Sequence, residues 1–202
     1  YRGDGVLAIF PTPTDGVRAA VAQHAELERL NEEREAEGLA PLRIGVGLHT
    51  GPLTLGIIGD GRRLDASLAG DAVNLASRME GLSKFYGVRV AISGATRAGL
   101  TEPVRLRHLD QVRAEGKTQT TDIYEVLDAD PPPLRERKRA ALPAFSAGQE
   151  ATGRGDLSAA LKSFTDVLQA LPEDITTRLW LERTARFLLH GRPDDWVMAP
   201  PK

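Results

Sequence analysis

The sequence predicts a mixed α+β core followed by an all-helical tail. From Tyr1 to about Asp128, short apolar runs alternate with helix-like stretches and glycine punctuation. Pro131-Pro132-Pro133 then breaks the pattern, and beyond it only helical periodicity remains.

The elements follow in order. Val6 to Phe10 is a continuous apolar run and reads as a buried strand ended by Pro11 and Pro13. Val17 to Glu37, rich in Ala, Glu, Leu and Arg with Val17, Val21, Leu27 and Leu30 loosely spaced, reads as a helix that Gly38 closes. Arg43 to Leu48 and Leu53 to Ile58 are strand-like and flank the turn cluster His49-Thr50-Gly51-Pro52. Asp60, Arg62 and Arg63 read as a solvated hairpin tip. Asp71 to Phe85 carries Val73, Leu75, Ala76 and Met79 on an apolar stripe and is helical. Val88 to Ser93, Arg105 to Val112 and Ile123 to Leu127 are strands in this reading, though alternation does not fix their order in a sheet. The proline run places a linker at 129–138 between a domain over 1–128 and a helical region over 139–192, with a tail at 193–202. The helical region divides into Leu142–Ala151, Leu157–Leu171 and Ile175–His190, the last two with Asp156 and Asp174 as N-caps.

Composition narrows the function classes. The 202 residues hold 26 Lys+Arg against 28 Asp+Glu and no cysteine. Disulfide scaffolds, thiolate–zinc sites and cysteine nucleophiles are thereby excluded, and the chain suits a reducing compartment or an unselective one; a cytoplasmic location is expected. The near-neutral balance provides no electrostatic footprint for nucleic acid. No apolar run approaches the roughly 20 residues that span a bilayer, and the start shows no secretory pattern. The first residue is Tyr1 rather than Met, so the chain reads as part of a longer parent, which leaves room for a membrane anchor outside it.

The stretch from Gly45 to Gly81, GVGLHTGPLTLGIIGDGRRLDASLAGDAVNLASRMEG, carries the chemistry. Together with Gly3-Asp4-Gly5 and the apolar run after it, this stretch resembles the catalytic domain of class III nucleotide cyclases, the adenylate and guanylate cyclase family. The resemblance covers Tyr1 to about Leu127, and Gly70-Asp71-Ala72-Val73-Asn74-Leu75-Ala76-Ser77-Arg78 is its most specific element. It implies a ferredoxin-like α+β catalytic core, present in part. It also implies conversion of ATP to 3′,5′-cyclic AMP and pyrophosphate, with two Mg²⁺ or Mn²⁺ ions per site.

The residues are read against that chemistry. Asp4, in a glycine-flanked turn, is a hard oxygen ligand for such a cation, or a turn aspartate bonding its own backbone. Asn74 and Arg78 lie four apart and share one helix face. The resemblance makes Asn74 the ribose-orienting amide and Arg78 the cation that absorbs charge at the α-phosphate, a task for which a permanently charged planar fork is suited. Ser67 stands where relatives place an adenine-reading Asp or Thr; its hydroxyl bonds either purine, or else closes a local turn. Lys117 belongs to Ala114-Glu115-Gly116-Lys117, where the family commonly shows K-G-K. It contacts the triphosphate or is a solvated hairpin lysine, and Glu115 reverses the charge of the first family lysine. His49, at a strand-to-turn junction, is read as structural.

The family's other metal aspartate, the helix after it and its base-selecting lysine belong ahead of Tyr1. The chain as given is therefore not expected to complete a two-metal site by itself. The resemblance further implies a head-to-tail homodimer with shared sites and an N-terminal sensor domain in the parent chain. Ala147 to Asp174, with its Gly-Asp turn, Ala160, Phe164 and Pro172, resembles a tetratricopeptide unit. Since about three such repeats make an independent solenoid, this tail must bury its apolar stripe on its own chain, a dimer mate or a partner. The alternative is a degenerate cyclase-like module that binds nucleotide or dimerises without turnover. Glu115 and the small residues Ala66 and Ala69 favour it, whereas an ordinary scaffold leaves GDAVNLASR unexplained.

Overall fold

A computed structural model of the chain describes residues 5–60, 63–113 and 120–193, with the backbone alone for 57–60 and 63–69. Helix α1 spans Pro13–Ala36 and begins four residues before the apolar pattern that predicts it. Thr12 caps it by accepting from the Asp15 N–H, and Pro13 occupies a first-turn position where a missing N–H costs nothing. The proline expected only to end a strand therefore also opens a helix. The run Val6–Phe10 is not a strand, and it is not buried: Val6 is 71% exposed and Phe10 40%. Apolar content makes a segment eligible for a sheet, but only a neighbouring strand supplies the hydrogen bonds that make it one.

The central sheet has the order β1-β4-β6-β5, with β1 (Val46–Leu48), β4 (Val90–Ser93), β5 (Leu106–Arg113) and β6 (Thr120–Val126). Strands β1 and β4 are parallel; β6 runs antiparallel to both β4 and β5. A separate hairpin pairs β2 (Thr54–Asp60) with β3 (Arg63–Ala69), and the second of these strands was not expected from the sequence. Between the strands lie α2 (Asp71–Tyr86) and the short α3 (Gly94–Ala98). Val90 and Ile92 pack with Val17 and Ala20 of α1 on one face. Ala91 and Ile123 pack with Met79, Leu82 and Tyr86 of α2 on the other. The period-2 alternation of the pleat thus feeds two cores, which is why all four residues of β4 are buried.

The proline run is corrected by the structure. It is not an extended linker at 129–138: a 3-10 turn covers Leu127–Ala129, Pro131 stands at the N-cap position, and α4 (Pro132–Arg154) begins at the next residue. Prolines in a first helical turn sacrifice no intrahelical bond. Then follow α5 (Leu157–Ala170) and α6 (Ile175–His190), capped as expected by Asp156 and Asp174. Their common core holds Phe145, Ala160, Phe164, Leu171 and Trp180. Among the described residues no helix is long and apolar enough to cross a membrane.

The three helices dock onto the sheet of their own chain, through β5. A bulge there sets His108 opposite Tyr124 and Asp110 opposite Ile123, leaving Leu109 outside the ladder. The Leu109 carbonyl accepts instead from Trp180 Nε1 at 2.8 Å and Gln149 Nε2 at 3.1 Å. Beside it, Arg107 opposes Glu125 across the strands and donates to it at 2.7 Å, while its fork grips Asp174 at 2.8 and 3.0 Å. Lys138 of α4 bridges Glu125 and Asp130, and Asp130 also meets Arg89, which pairs with Glu28 of α1. A continuous chain of opposite charges therefore runs from α1 through the sheet into the N-terminus of α6. Burial raises the Asp130 carboxyl above its ordinary range, and neighbouring Glu125 adds to the rise. For Lys138 burial acts downward, yet Glu125 and Asp130 outweigh it and hold the ammonium charged.

Candidate active site

The sequence folds α2 so that its backbone lies directly on β1. Gly47 makes this possible: a Cβ there would stand 2.0 Å from the Glu80 nitrogen and 2.6 Å from the Ala76 carbonyl oxygen. The buried side of α2 carries Ala72, Met79, Leu82, Ser83 and Tyr86. Spacing of 3.6 residues per turn then turns Asp71, Asn74, Arg78 and Gly81 outward, and all four are exposed. Asn74 and Arg78 do share one face, as their spacing predicts. The side chain of neither makes a hydrogen bond or ion pair with another described residue. An uncommitted amide and a permanent cation stand side by side on a rigid helix, a geometry suited to holding a polar anionic ligand from one side.

Ser67 lies in β3, its backbone opposite Gly56, three residues before Gly70 leads into α2. It is a strand residue of a hairpin and not a loop turn; its side chain lies outside the description. Asp4 and Lys117 both lie outside the described residues, as does Glu115. The structure thus brings Asn74 and Arg78 together and sets Ser67 on the strand feeding their helix.

His49 is structural, as read. Its Nδ1 is 2.8 Å from Ser93 Oγ, and Thr50 donates to Thr96 at 3.1 Å, which ties the residues after β1 to the end of β4 and to α3. The groups that the sequence reading missed support the helix from below. The Tyr86 hydroxyl donates to Asp110 at 2.9 Å, and Arg183 of α6 donates to the same carboxylate at 3.1 Å. Burial, reinforced by Asp110, raises the phenol far above its ordinary range, so it stays a donor. A buried tyrosine requires a partner for its hydroxyl, which was the one available signal, but which carboxylate serves depends on the fold.

The family model of the adenylate and guanylate cyclase catalytic domain matches residues 13–126, more than half of the chain. The chain is 37% identical over 134 residues to adenylate cyclase 1 of Rhizobium meliloti (strain 1021), a match covering 63% of this chain and 20% of that protein. With the adenylate cyclase of Anabaena cylindrica it shares 37% identity over 135 residues, 62% of this chain and 27% of the other. The terminal-differentiation-specific adenylate cyclase of Dictyostelium discoideum is 31% identical over 191 residues, 91% of this chain and 9% of its own length. Such coverage necessarily takes in helices of the tail. The chain spans 27% or less of the length of these relatives. Among solved structures, the guanylyl cyclase Cya2 aligns with a TM-score of 0.49 and 28% identity over 62% of this chain and 64% of that one.

Proposed function

Because the chain belongs to the adenylate and guanylate cyclase catalytic-domain family, we propose that it is the catalytic part of an enzyme that converts ATP to 3′,5′-cyclic AMP and pyrophosphate. The observation that carries this is the exposed, uncommitted Asn74/Arg78 pair on a helix locked to the sheet at Gly47. In the reaction the ribose 3′-hydroxyl gives up its proton to solvent and its oxygen bonds the α-phosphorus, while the bond from that phosphorus to the oxygen bridging to the β-phosphate breaks and pyrophosphate leaves. Asn74 orients the ribose by hydrogen bonding. The Arg78 guanidinium absorbs the charge that develops on the α-phosphate oxygens. Ser67 bonds the purine edge, and Lys117 meets the departing phosphates. The 37% identity to two adenylate cyclases favours adenine over guanine.

The family is generally metal-dependent, and the reading includes two Mg²⁺ or Mn²⁺ ions with Asp4 as a ligand. Among the described residues no group of three or more His, Cys, Asp or Glu could hold a metal ion. The described residues do not by themselves fit the ions.

The site is shared by two copies in a head-to-tail homodimer, with Asp4 of one facing Asn74 and Arg78 of the other. Exposed Val6, Leu7, Ile9 and Leu55 offer apolar surface of the kind a second copy covers. The relatives are longer chains, which agrees with a sensor domain ahead of the catalytic part. The tail is read as tetratricopeptide-like. Its support is the full burial of Ala160 and Phe164, the seat of Phe164 against Gly148, and the Gly155-Asp156 turn.

The test uses the full-length protein with Mn²⁺ and ATP. Arg78→Ala is expected to lower turnover roughly a hundred- to a thousandfold, the effect of losing one transition-state donor. An equimolar mixture of Asp4→Ala and Arg78→Ala chains should recover about a quarter of wild-type activity, since half of random dimers are mixed and each keeps one intact site of two. Undiminished turnover by Arg78→Ala would remove it from the mechanism. Absence of any cyclic nucleotide from the wild type would favour the binding or dimerisation module instead.

A further inference from the structure

We propose that the helical tail is a positioning device: the start of α6 clamps the last turn of α2 and so fixes where Asn74 stands, one turn from Arg78. The clamp itself is independent of catalysis, while its purpose rests on the site reading given above.

A helix leaves its last carbonyls without intrahelical partners. At the end of α2, the Tyr86 carbonyl accepts from Thr176 Oγ1 of α6 at 3.0 Å. The next residue, Gly87, has φ +67° and lies so close to Ile175 that a Cβ would meet its Cδ1 at 2.5 Å. The Tyr86 phenol reaches Asp110, and Arg183 of α6 donates to both oxygens of that carboxylate. Arg183 also lies over the Trp180 ring, 4.3 Å from its centroid, which ties this contact to the tail's own core. The backbone carbonyl and the glycine surface meet α6 directly, and the phenol meets it through Asp110 of β5, so two adjacent residues of α2 and its cap carry three attachments.

The geometry shows what such a clamp accomplishes. Along the rest of its length α2 is held by its seat on Gly47, near the middle of the helix, and by Met79 and Leu82 in the core. Freed at its C-terminal end, the helix pivots about that seat. Asn74 stands about one turn, about 6 Å, from it, so a tilt of about 10° moves Asn74 by about 1 Å. A displacement of that size in a positioning group costs up to about a hundredfold in rate. Thr176, Ile175 and Arg183 touch no reacting atom; they act through α2 and are positioning residues. The Dictyostelium relative carries the match through the tail as well as the catalytic part, as a coupled unit would require.

The test compares full-length wild type, Thr176→Val, which keeps shape and loses the hydrogen bond, and Thr176→Ser, which retains it. Gly87→Ala supplies a second, steric release. Amide hydrogen exchange along Met79–Tyr86 should be about tenfold faster in Thr176→Val and Gly87→Ala. With Mn²⁺ and ATP, kcat should fall about tenfold while KM stays within about twofold, and Thr176→Ser should restore both readouts. Unchanged exchange in folded Thr176→Val and Gly87→Ala would overturn the clamp. Faster exchange with an unchanged kcat per folded molecule would overturn its positioning role. Full turnover by Arg78→Ala would instead overturn the site reading, with the exchange measurement still judging the clamp.

Discussion

Asp174 joins two functions that substitution can separate. It caps α6 by accepting from the Thr177 N–H at 3.1 Å, and it takes the bidentate fork of Arg107 at 2.8 and 3.0 Å. Both partners of the ion pair are almost fully buried, with side chains 3% and 5% exposed. Removing one partner of a buried pair strands the other charge, at a cost of about 3–5 kcal/mol, and losing an N-cap costs about 1 kcal/mol. Asp174→Ala forfeits both, but Arg107 keeps Glu125, so the loss should lie at the low end, about 4 kcal/mol, still a large part of a total of about 5–15 kcal/mol. Asp174→Asn keeps a good cap and a neutral acceptor, so its cost should be about 2 kcal/mol, the difference between a charged and an uncharged bond. Urea denaturation at neutral pH, followed by both far-UV ellipticity and Trp fluorescence, measures each value. A loss below about 1 kcal/mol for Asp174→Ala would place the pair among solvent-screened contacts and refute the buried charge chain.

The same carboxylate sets a pH dependence. Burial acts to raise its pKa, but Arg107 and Thr177 outweigh burial and hold it below the ordinary 3.8. A folded-state value below the unfolded one means stability that is present above about pH 4 and lost as pH falls through the folded value. The wild type should weaken in that acid range, whereas Asp174→Asn should lack this component.

Other expectations concern α1 and β1. His24 is buried with Nε2 against the Arg89 carbonyl oxygen, and burial, aided by Arg89, lowers its pKa from 6.5. The unfolded chain therefore takes up the proton first, and stability present above about pH 6.5 declines as pH falls below it. His24→Gln should flatten the change in urea midpoint between pH 7.5 and 5.5; an unaltered slope would show that His24 does not contribute. Gly47→Ala should drive α2 off the sheet and cost about 3 kcal/mol, the upper end of ordinary overpacking, which thermal unfolding will read. Wild-type stability in that variant would contradict the close approach of α2 to β1.

The described part of the candidate site was legible without coordinates. The run Gly70–Arg78 names both the helix and its two polar groups, because a spacing of four on a helix is a shared face by geometry alone. The N-caps Asp156 and Asp174 were equally readable, since a short acceptor before an apolar run has a local purpose. Other readings failed where local pattern and tertiary setting part. Val6–Phe10 has the composition of a strand and no strand to pair with among the described residues. Pro131–Pro133 has the composition of a linker, yet the same fixed φ that stiffens an extended chain also starts a helix. Strand β3 alternates too weakly to stand out, and only its register against β2 defines it.

The sequence by itself determined most of the helices and strands, the family and the outward pair Asn74/Arg78, because each depends on interactions within a few residues or on a motif of fixed spacing; it did not show α3 or the first turns of α4. Tertiary structure alone decided that the tail lies on β5, that Leu109 bulges to receive Trp180, and that Arg107 and Glu125 meet Asp174 and Lys138 in the interior. Asp174 lies 67 residues from Arg107 in the chain, and Arg183 lies 73 from Asp110. Nothing local distinguishes such charges from solvated ones. Only the burial that folding imposes makes a partner obligatory, and only the fold places that partner within reach.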